Sequence, residues 1–127
     1  MHELSIANRV VELAGARCRE AGGSAVSAVT VAIGRLASVH EDALRFSFDL
    51  AREGTPLARA ELRIRHVAVR VWCPACAAEM ELPGIQRLAC PACGTPTGDI
   101  RAGRELDLET IEVVDADPAS VPEEAAP

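Results

Sequence analysis

A chain of 127 residues, 49% apolar and 25% charged, has the composition of one globular domain or of one domain with a small appendage, which excludes a wholly disordered polymer. Aromatic residues make up 2% (Phe46, Phe48 and Trp72, with no tyrosine), so the core must be built from Val, Leu, Ile and Ala with modest burial per residue. The formal charge of −6 is uneven, because residues 1–97 hold eleven arginines against ten acids while residues 98–127 hold two against nine.

From Leu4, small or apolar residues recur at Ala7, Val10, Val11, Ala14 and Cys18, the spacing of one helix face, and Gly22-Gly23 ends the pattern. Residues 26–33 are short and β-branched, a strand that stops at Gly34. Ser38-Val-His-Glu41 has the form of a capping box, opening a helix with Ala43, Leu44, Phe48 and Ala51 on one side. That helix is expected to run to about Glu53, where Gly54-Thr-Pro56 breaks it.

Residues 58–65 alternate, with Ala58, Ala60, Leu62 and Ile64 on one face and charged residues on the other. After His66 the apolar parity flips to Val67, Val69 and Val71, which requires a bulge at His66 or a new strand leaving the first sheet. Leu106, Leu108, Ile111 and Val113 predict one strand or two returning to that sheet. The order helix, strand, helix, strand, cysteine module, strand describes an α+β fold: two helices on a small mixed or antiparallel sheet, with an inserted zinc-knuckle, zinc-ribbon-like module. The expected division is 1–66 plus 98–114 for the α+β domain, 67–97 for the module, and 115–127 for a disordered acidic tail.

No run of about 18 apolar residues is present, so no transmembrane helix is expected. With Glu3 and Ser5 near the start there is no charged region followed by an apolar one, and a reducing cytoplasm is the expected compartment. Cysteines there read as metal or redox chemistry before disulfides. Cys73-Pro-Ala-Cys76 and Cys90-Pro-Ala-Cys93 are separated by thirteen residues, and two such turns complete a tetrahedron around Zn²⁺. Glu79, Glu81, Pro83-Gly84 and Arg87 between them suggest a short hairpin, too small to bury a core without metal. A closed four-thiolate site is structural; iron–sulfur ligation and a reactive dithiol are the competing uses of these cysteines. Cys18, on the apolar helix face, reads as a small buried residue.

Met1-His2-Glu3 carries a second chemistry. The Met1 amine, the His2 amide and the His2 imidazole form fused chelate rings, a nitrogen set that suits square-planar Ni²⁺ or Cu²⁺. The Glu3 amide, a water or another side chain such as His40 is left for the fourth corner. Amides at a helix start have no intrahelical acceptor, so their deprotonation breaks no ladder bond. His40 otherwise reads as a solvated first-turn residue.

These features occur in one order: Met1-His-Glu-Leu-Ser-Ile-Ala7, Leu44-Arg-Phe-Ser-Phe48, Gly54-Thr55, Ala60-Glu-Leu-Arg-Ile64, the paired C-x-x-C motifs and Gly103-Arg-Glu-Leu106. Together, over about residues 1–114, they resemble the HypA/HybF family of hydrogenase nickel-incorporation proteins. The resemblance implies a nickel-binding domain of two helices against a small sheet, joined to a zinc domain. It implies that Met1, His2 and Glu3 hold Ni²⁺, and that Cys73, Cys76, Cys90 and Cys93 hold structural Zn²⁺. It further implies a cytoplasmic nickel metallochaperone, not an enzyme, that serves the large subunit of [NiFe]-hydrogenase beside a nickel-handling GTPase (HypB-like). In some organisms urease and its accessory proteins share the service.

Two other classes compete. A zinc ribbon that binds nucleic acid or another protein is suggested by the paired cysteine turns and by five arginines against two glutamates in residues 52–72. The acidic chain and scarce aromatics oppose nucleic-acid binding, and neither nucleic acid nor membrane is an expected partner. A thiol oxidoreductase using one Cys-Pro-Ala-Cys pair requires thiols that react without metal loss.

Overall fold

The computed structural model describes residues 2–115. Its elements in chain order are α1 (His2–Glu20), β1 (Ala25–Gly34), α2 (Glu41–Ala51), β2 (Glu61–Val67), β3 (Arg70–Cys73), β4 (Ala78–Glu81), β5 (Ile100–Ala102) and β6 (Leu106–Val114). The expected α+β architecture of two helices with small sheets is the one observed. Of the expected acidic tail, 116–127 lie outside the described residues. The described residues divide into two compact units, one of residues 2–31, 39–64 and 108–115, the other of residues 32–38 and 65–107.

In the first unit, α1 buries Ala7, Val10, Val11, Ala14 and Cys18 as its spacing predicts. The stripe opens differently, however: Leu4 is exposed and Glu3 is buried in its place. Gly22, at φ 70°, ends the helix in the left-handed region, and Gly23 N–H returns to the Cys18 carbonyl at 2.9 Å. α2 turns Leu44 and Phe48 inward. Arg45 donates to the Leu62 carbonyl at 2.8 Å and Arg52 to the Ala60 carbonyl at 2.7 Å, so two guanidinium groups tie α2 to the chain entering β2.

The expected capping box does not form. An N-cap needs extended backbone, and Ser38 sits at φ 59°. His40, at φ −85° and ψ 112°, is the cap instead, its Nδ1 accepting from Ala43 N–H at 3.3 Å. The helix stops at Ala51 with Arg52 as its C-cap, two residues short of expectation.

One sheet has the order β2-β1-β6. The central place of β1 explains why Val26, Ala28, Val29, Val31, Ala32 and Ile33 are all buried regardless of parity. β6 is a single strand rather than two and runs antiparallel to β1: Ser24 N–H reaches Val114 O at 3.0 Å, and Gly34 N–H reaches Glu105 O at 2.8 Å. His66 is an exposed residue of β2, which ends at Val67, and the flipped parity belongs to the segment beyond it, at Val69 and Val71.

In the second unit Val69 and Val71 face a separate small core with Leu82, ringed by Leu36, Met80, Leu88 and Ile100. Its sheet has the order β4-β3-β5. The hairpin expected between the two cysteine pairs lies elsewhere: β3 pairs antiparallel with β4 across the first pair, Cys73 opposite Ala78. The pattern between the pairs could not show this, because half of the hairpin precedes Cys73. β5, too short to leave a periodicity, pairs with β3 from the other side.

Gly34 is a point of close backbone approach within this unit. A Cβ there would run into the Gly103 carbonyl group and the Arg104 nitrogen, both backbone and unable to swing aside. Gly34→Ala is therefore expected to cost about 1–3 kcal/mol of stability. A urea or thermal midpoint equal to that of the unsubstituted chain would contradict the close approach.

Candidate metal centres

The four paired cysteines converge. Cys73 ends β3, and Cys76 follows in the turn to β4. Cys76 N–H donates to Cys73 Sγ at 3.4 Å, curling the turn around its first sulfur. Cys90 and Cys93 form a matching turn, with an isolated bridge between Ala89 and Pro96 at its base. There Cys90 N–H bonds to Thr95 O at 2.9 Å and Gly94 N–H to Cys90 O at 2.8 Å.

Each turn exits through the left-handed region immediately after its second cysteine, at Ala77 (φ 52°) and Gly94 (φ 79°). Glycine enters that region without penalty, whereas alanine brings a Cβ against its carbonyl.

Cys73 Sγ and Cys93 Sγ lie 3.5 Å apart, and Cys76 Sγ and Cys90 Sγ 3.9 Å. All four ligand atoms are within 4.8 Å of one another. A tetrahedral zinc with bonds of about 2.3 Å has sulfur–sulfur edges of about 3.8 Å, so the spacing fits that ion. Among the described residues this is the one His, Cys, Asp and Glu cluster with metal-ligand geometry.

The thiols are electrostatically unlike. Cys93 is drawn down to about 6, first by the Thr95 hydroxyl and then by the Thr95 N–H. Cys76 is pushed up to about 12 because Cys93, Cys73 and Cys90, in that order, hold its proton among them. Sulfurs this close cannot all ionise alone; a divalent cation replaces the shared protons.

At the amino terminus, His2 and Glu3 open α1. His2 is exposed, and its Nε2 lies 3.6 Å from Glu3 Oε2. Glu3 Oε2 accepts from His40 N–H at 3.0 Å, which ties the start of α1 to the residue that caps α2. The His40 N–H helps to hold the Glu3 carboxyl below the usual carboxylate range. Met1 lies outside the described residues. His40 thus comes close to the expected nickel residues, but in another role: a neutral imidazole whose Nδ1 accepts carries its proton on Nε2 and has no free lone pair for a metal. Cys18 is buried in the helix, as its position predicted.

The arginines around the strands are paired. Arg63 bonds to Glu112 at 2.6 Å and to Glu61 at 3.2 Å, Arg70 to Glu79 at 2.6 Å, and Arg101 to Asp99 at 2.8 Å. Arg101 also covers the Trp72 ring, 5.2 Å from its centre. Charges and an aromatic face committed in this way do not make the open basic, stacking surface that single-stranded nucleic acid requires.

Comparison with known proteins decides the family. Residues 1–113 match the family model described as hydrogenase/urease nickel incorporation, metallochaperone, hypA. The hydrogenase maturation factor HypA of Chloroflexus aggregans is 54% identical over 112 residues, covering 88% of this chain and 98% of the relative. That of Deinococcus radiodurans is 43% identical over 108 residues, covering 85% and 89%. The chain belongs to the HypA family.

The fold agrees with the family: the solution structure of the Ni metallochaperone HypA from Helicobacter pylori superposes with a TM-score of 0.65 at 22% identity, covering 90% of this chain and 98% of that one. HypA proteins are metallochaperones of hydrogenase maturation, not enzymes. Among the described residues no helix is long and apolar enough to cross a membrane.

The two residues that sequence reasoning did not single out are Thr95, which meets Cys93, and His40 in its capping role. No spacing rule announces either, since each acts through a contact set by local backbone geometry. The strained exit at Ala77 is directly testable. Ala77→Gly is expected to stabilise the zinc-loaded chain by about 1 kcal/mol, read as a higher thermal midpoint. A lower midpoint would show that the alanine is not strained.

Proposed function

We propose that Met1, His2 and Glu3 hold one Ni²⁺ in transit. The chain hands it on for insertion into the large subunit of [NiFe]-hydrogenase, beside a HypB-like GTPase. Urease, reached through its accessory proteins, is a second recipient. Cys73, Cys76, Cys90 and Cys93 hold one structural Zn²⁺. The observation that carries the nickel reading is the first turn of α1, where an exposed imidazole stands beside a carboxylate already anchored by His40 N–H.

The parts divide the work. His2 supplies an imidazole, and the amides of the first turn have no intrahelical acceptor to lose when they deprotonate. A planar set of such nitrogens favours Ni²⁺ over Zn²⁺, which gains nothing from that geometry. The Glu3 carboxylate offsets the repulsion between a cation and the positive helix end. Because the His40 ring is committed to its cap, the Glu3 amide or a water is left for the fourth corner. An exposed chelate at a chain end suits transfer, since an acceptor can displace its ligands one at a time.

Zinc does something else. The second unit has three buried aliphatic side chains at the centre of its core, Val69, Val71 and Leu82, too few to offset the entropy of ordering it. Four metal–sulfur bonds supply the remainder.

Untagged protein is expected to take up about one Ni²⁺ with the absorption of a planar, nitrogen-rich site, and His2→Ala or one extra N-terminal residue should abolish it. Unchanged nickel uptake by either variant defeats the site. In cells lacking the chain, hydrogenase activity should return with the unsubstituted gene and not with His2→Ala, and urease assayed in the same cells tests the second recipient.

Removing zinc with a strong chelator should speed amide exchange at Val71 and Leu82 by more than about tenfold, while α1 amides stay protected. Uniform protection after zinc loss would refute the structural role.

A further inference from the structure

The four sulfurs of the proposed zinc centre are not equivalent. Cys73 and Cys90 are buried, whereas Cys76 and Cys93 are exposed, so one edge of the tetrahedron faces solvent. The two exposed sulfurs differ again. Cys93 Sγ lies 3.0 Å from Thr95 Oγ1; a metal-bound thiolate has no proton, so the hydroxyl must be the donor. Cys73 Sγ receives the Cys76 N–H. Cys76 Sγ has a sulfur neighbour, Cys90 Sγ at 3.9 Å, and no nitrogen or oxygen donor among the described residues.

With zinc bound all four sulfurs are thiolates, and what ranks them is access and hydrogen bonding. Burial denies an electrophile its approach, and a donated hydrogen bond withdraws electron density from sulfur. Cys90 has burial, Cys93 has a hydrogen bond, and Cys73 has both. Cys76 has neither.

We infer that Cys76 is the sulfur through which the zinc centre reacts with soft electrophiles, and that the Thr95 hydroxyl keeps Cys93 out of that reaction. With an alkyl iodide, a Cys76 sulfur lone pair forms the new S–C bond, the C–I bond breaks, and iodide leaves with its electron pair. The product is a neutral thioether, a much weaker ligand than the thiolate it replaces. The zinc site then opens from this corner, and the second unit loses the metal on which its order depends. Thr95 is a positioning residue: it touches no electrophile and acts through Cys93.

The inference rests on the zinc centre proposed above, so zinc is counted first. The full chain, loaded with Zn²⁺, is treated with substoichiometric iodoacetamide, and each cysteine is followed by peptide mass spectrometry while released zinc is read with a chromogenic chelator. Cys76 should be alkylated about fivefold or more faster than Cys73, Cys90 or Cys93, with zinc release in step. Thr95→Val should raise the Cys93 rate to within about twofold of Cys76, and Thr95→Ser should restore the difference.

Cys18, buried in α1, gauges global unfolding. Fewer than one zinc per chain before alkylation would overturn the centre and the inference together. One zinc with equal labelling of Cys76 and Cys93, Cys18 labelling in step with Cys76, or a Cys93 rate indifferent to Thr95→Val would each overturn the inference alone. If Thr95→Val fails to fold, the ratio of Cys76 to Cys93 labelling in the unsubstituted chain still decides it.

Discussion

The convergence of four sulfurs onto the corners of one tetrahedron is the constraint on which the second unit depends. A three-residue aliphatic centre and three short strands order themselves only weakly, and the sequence supplies one aromatic ring there, Trp72, which lies under Arg101 instead of in that core. Both cysteine turns are shaped by their backbone: the Cys76 N–H donates to the Cys73 sulfur, the Gly94 N–H closes onto the Cys90 carbonyl, and a left-handed exit follows each pair. At Ala77 that exit is made against steric preference, a cost that an ion held by the proposed centre would offset.

The first unit solves a different problem. It has a conventional core of small aliphatic residues with Phe48, and it uses polar groups to hold the place where its two helices begin. Glu3 takes a position that helical spacing allots to an apolar residue, and its carboxylate answers the His40 N–H. His40 in turn caps α2 through its ring. One residue pair thereby locks the first turn of α1 to the start of α2 and leaves His2 beside it exposed. In the proposed nickel site such an anchor spares the ordering entropy that a loose first turn would lose each time an ion bound.

Much of this was legible in the residues. The stripe Ala7, Val10, Val11, Ala14 and Cys18, the β-branched run of β1, and the break at Gly22-Gly23 follow from periodicity and local stereochemistry, which act over a few residues. The capping box at Ser38 and Glu41 misled, since the motif describes a side-chain pattern and the backbone at Ser38 is left-handed. The misplaced hairpin has a similar origin: β4 pairs backward with β3 across the metal turn, a choice made by the metal turn and the small core rather than by the composition of the intervening thirteen residues.

By itself the sequence determined the four-cysteine set of two C-x-x-C pairs that gathers into one cluster, because metal-ligand geometry depends on residue type and short spacing. It also determined the near-neutral body and acidic end, which are sums over residues. Only the tertiary structure decided which carboxylate is buried, which imidazole caps a helix, and which cysteine sulfurs are shielded or hydrogen-bonded. Those properties belong to contacts between segments distant in the chain, or to turn geometry that residue spacing leaves open, and there burial and hydrogen bonding choose among chemically identical groups.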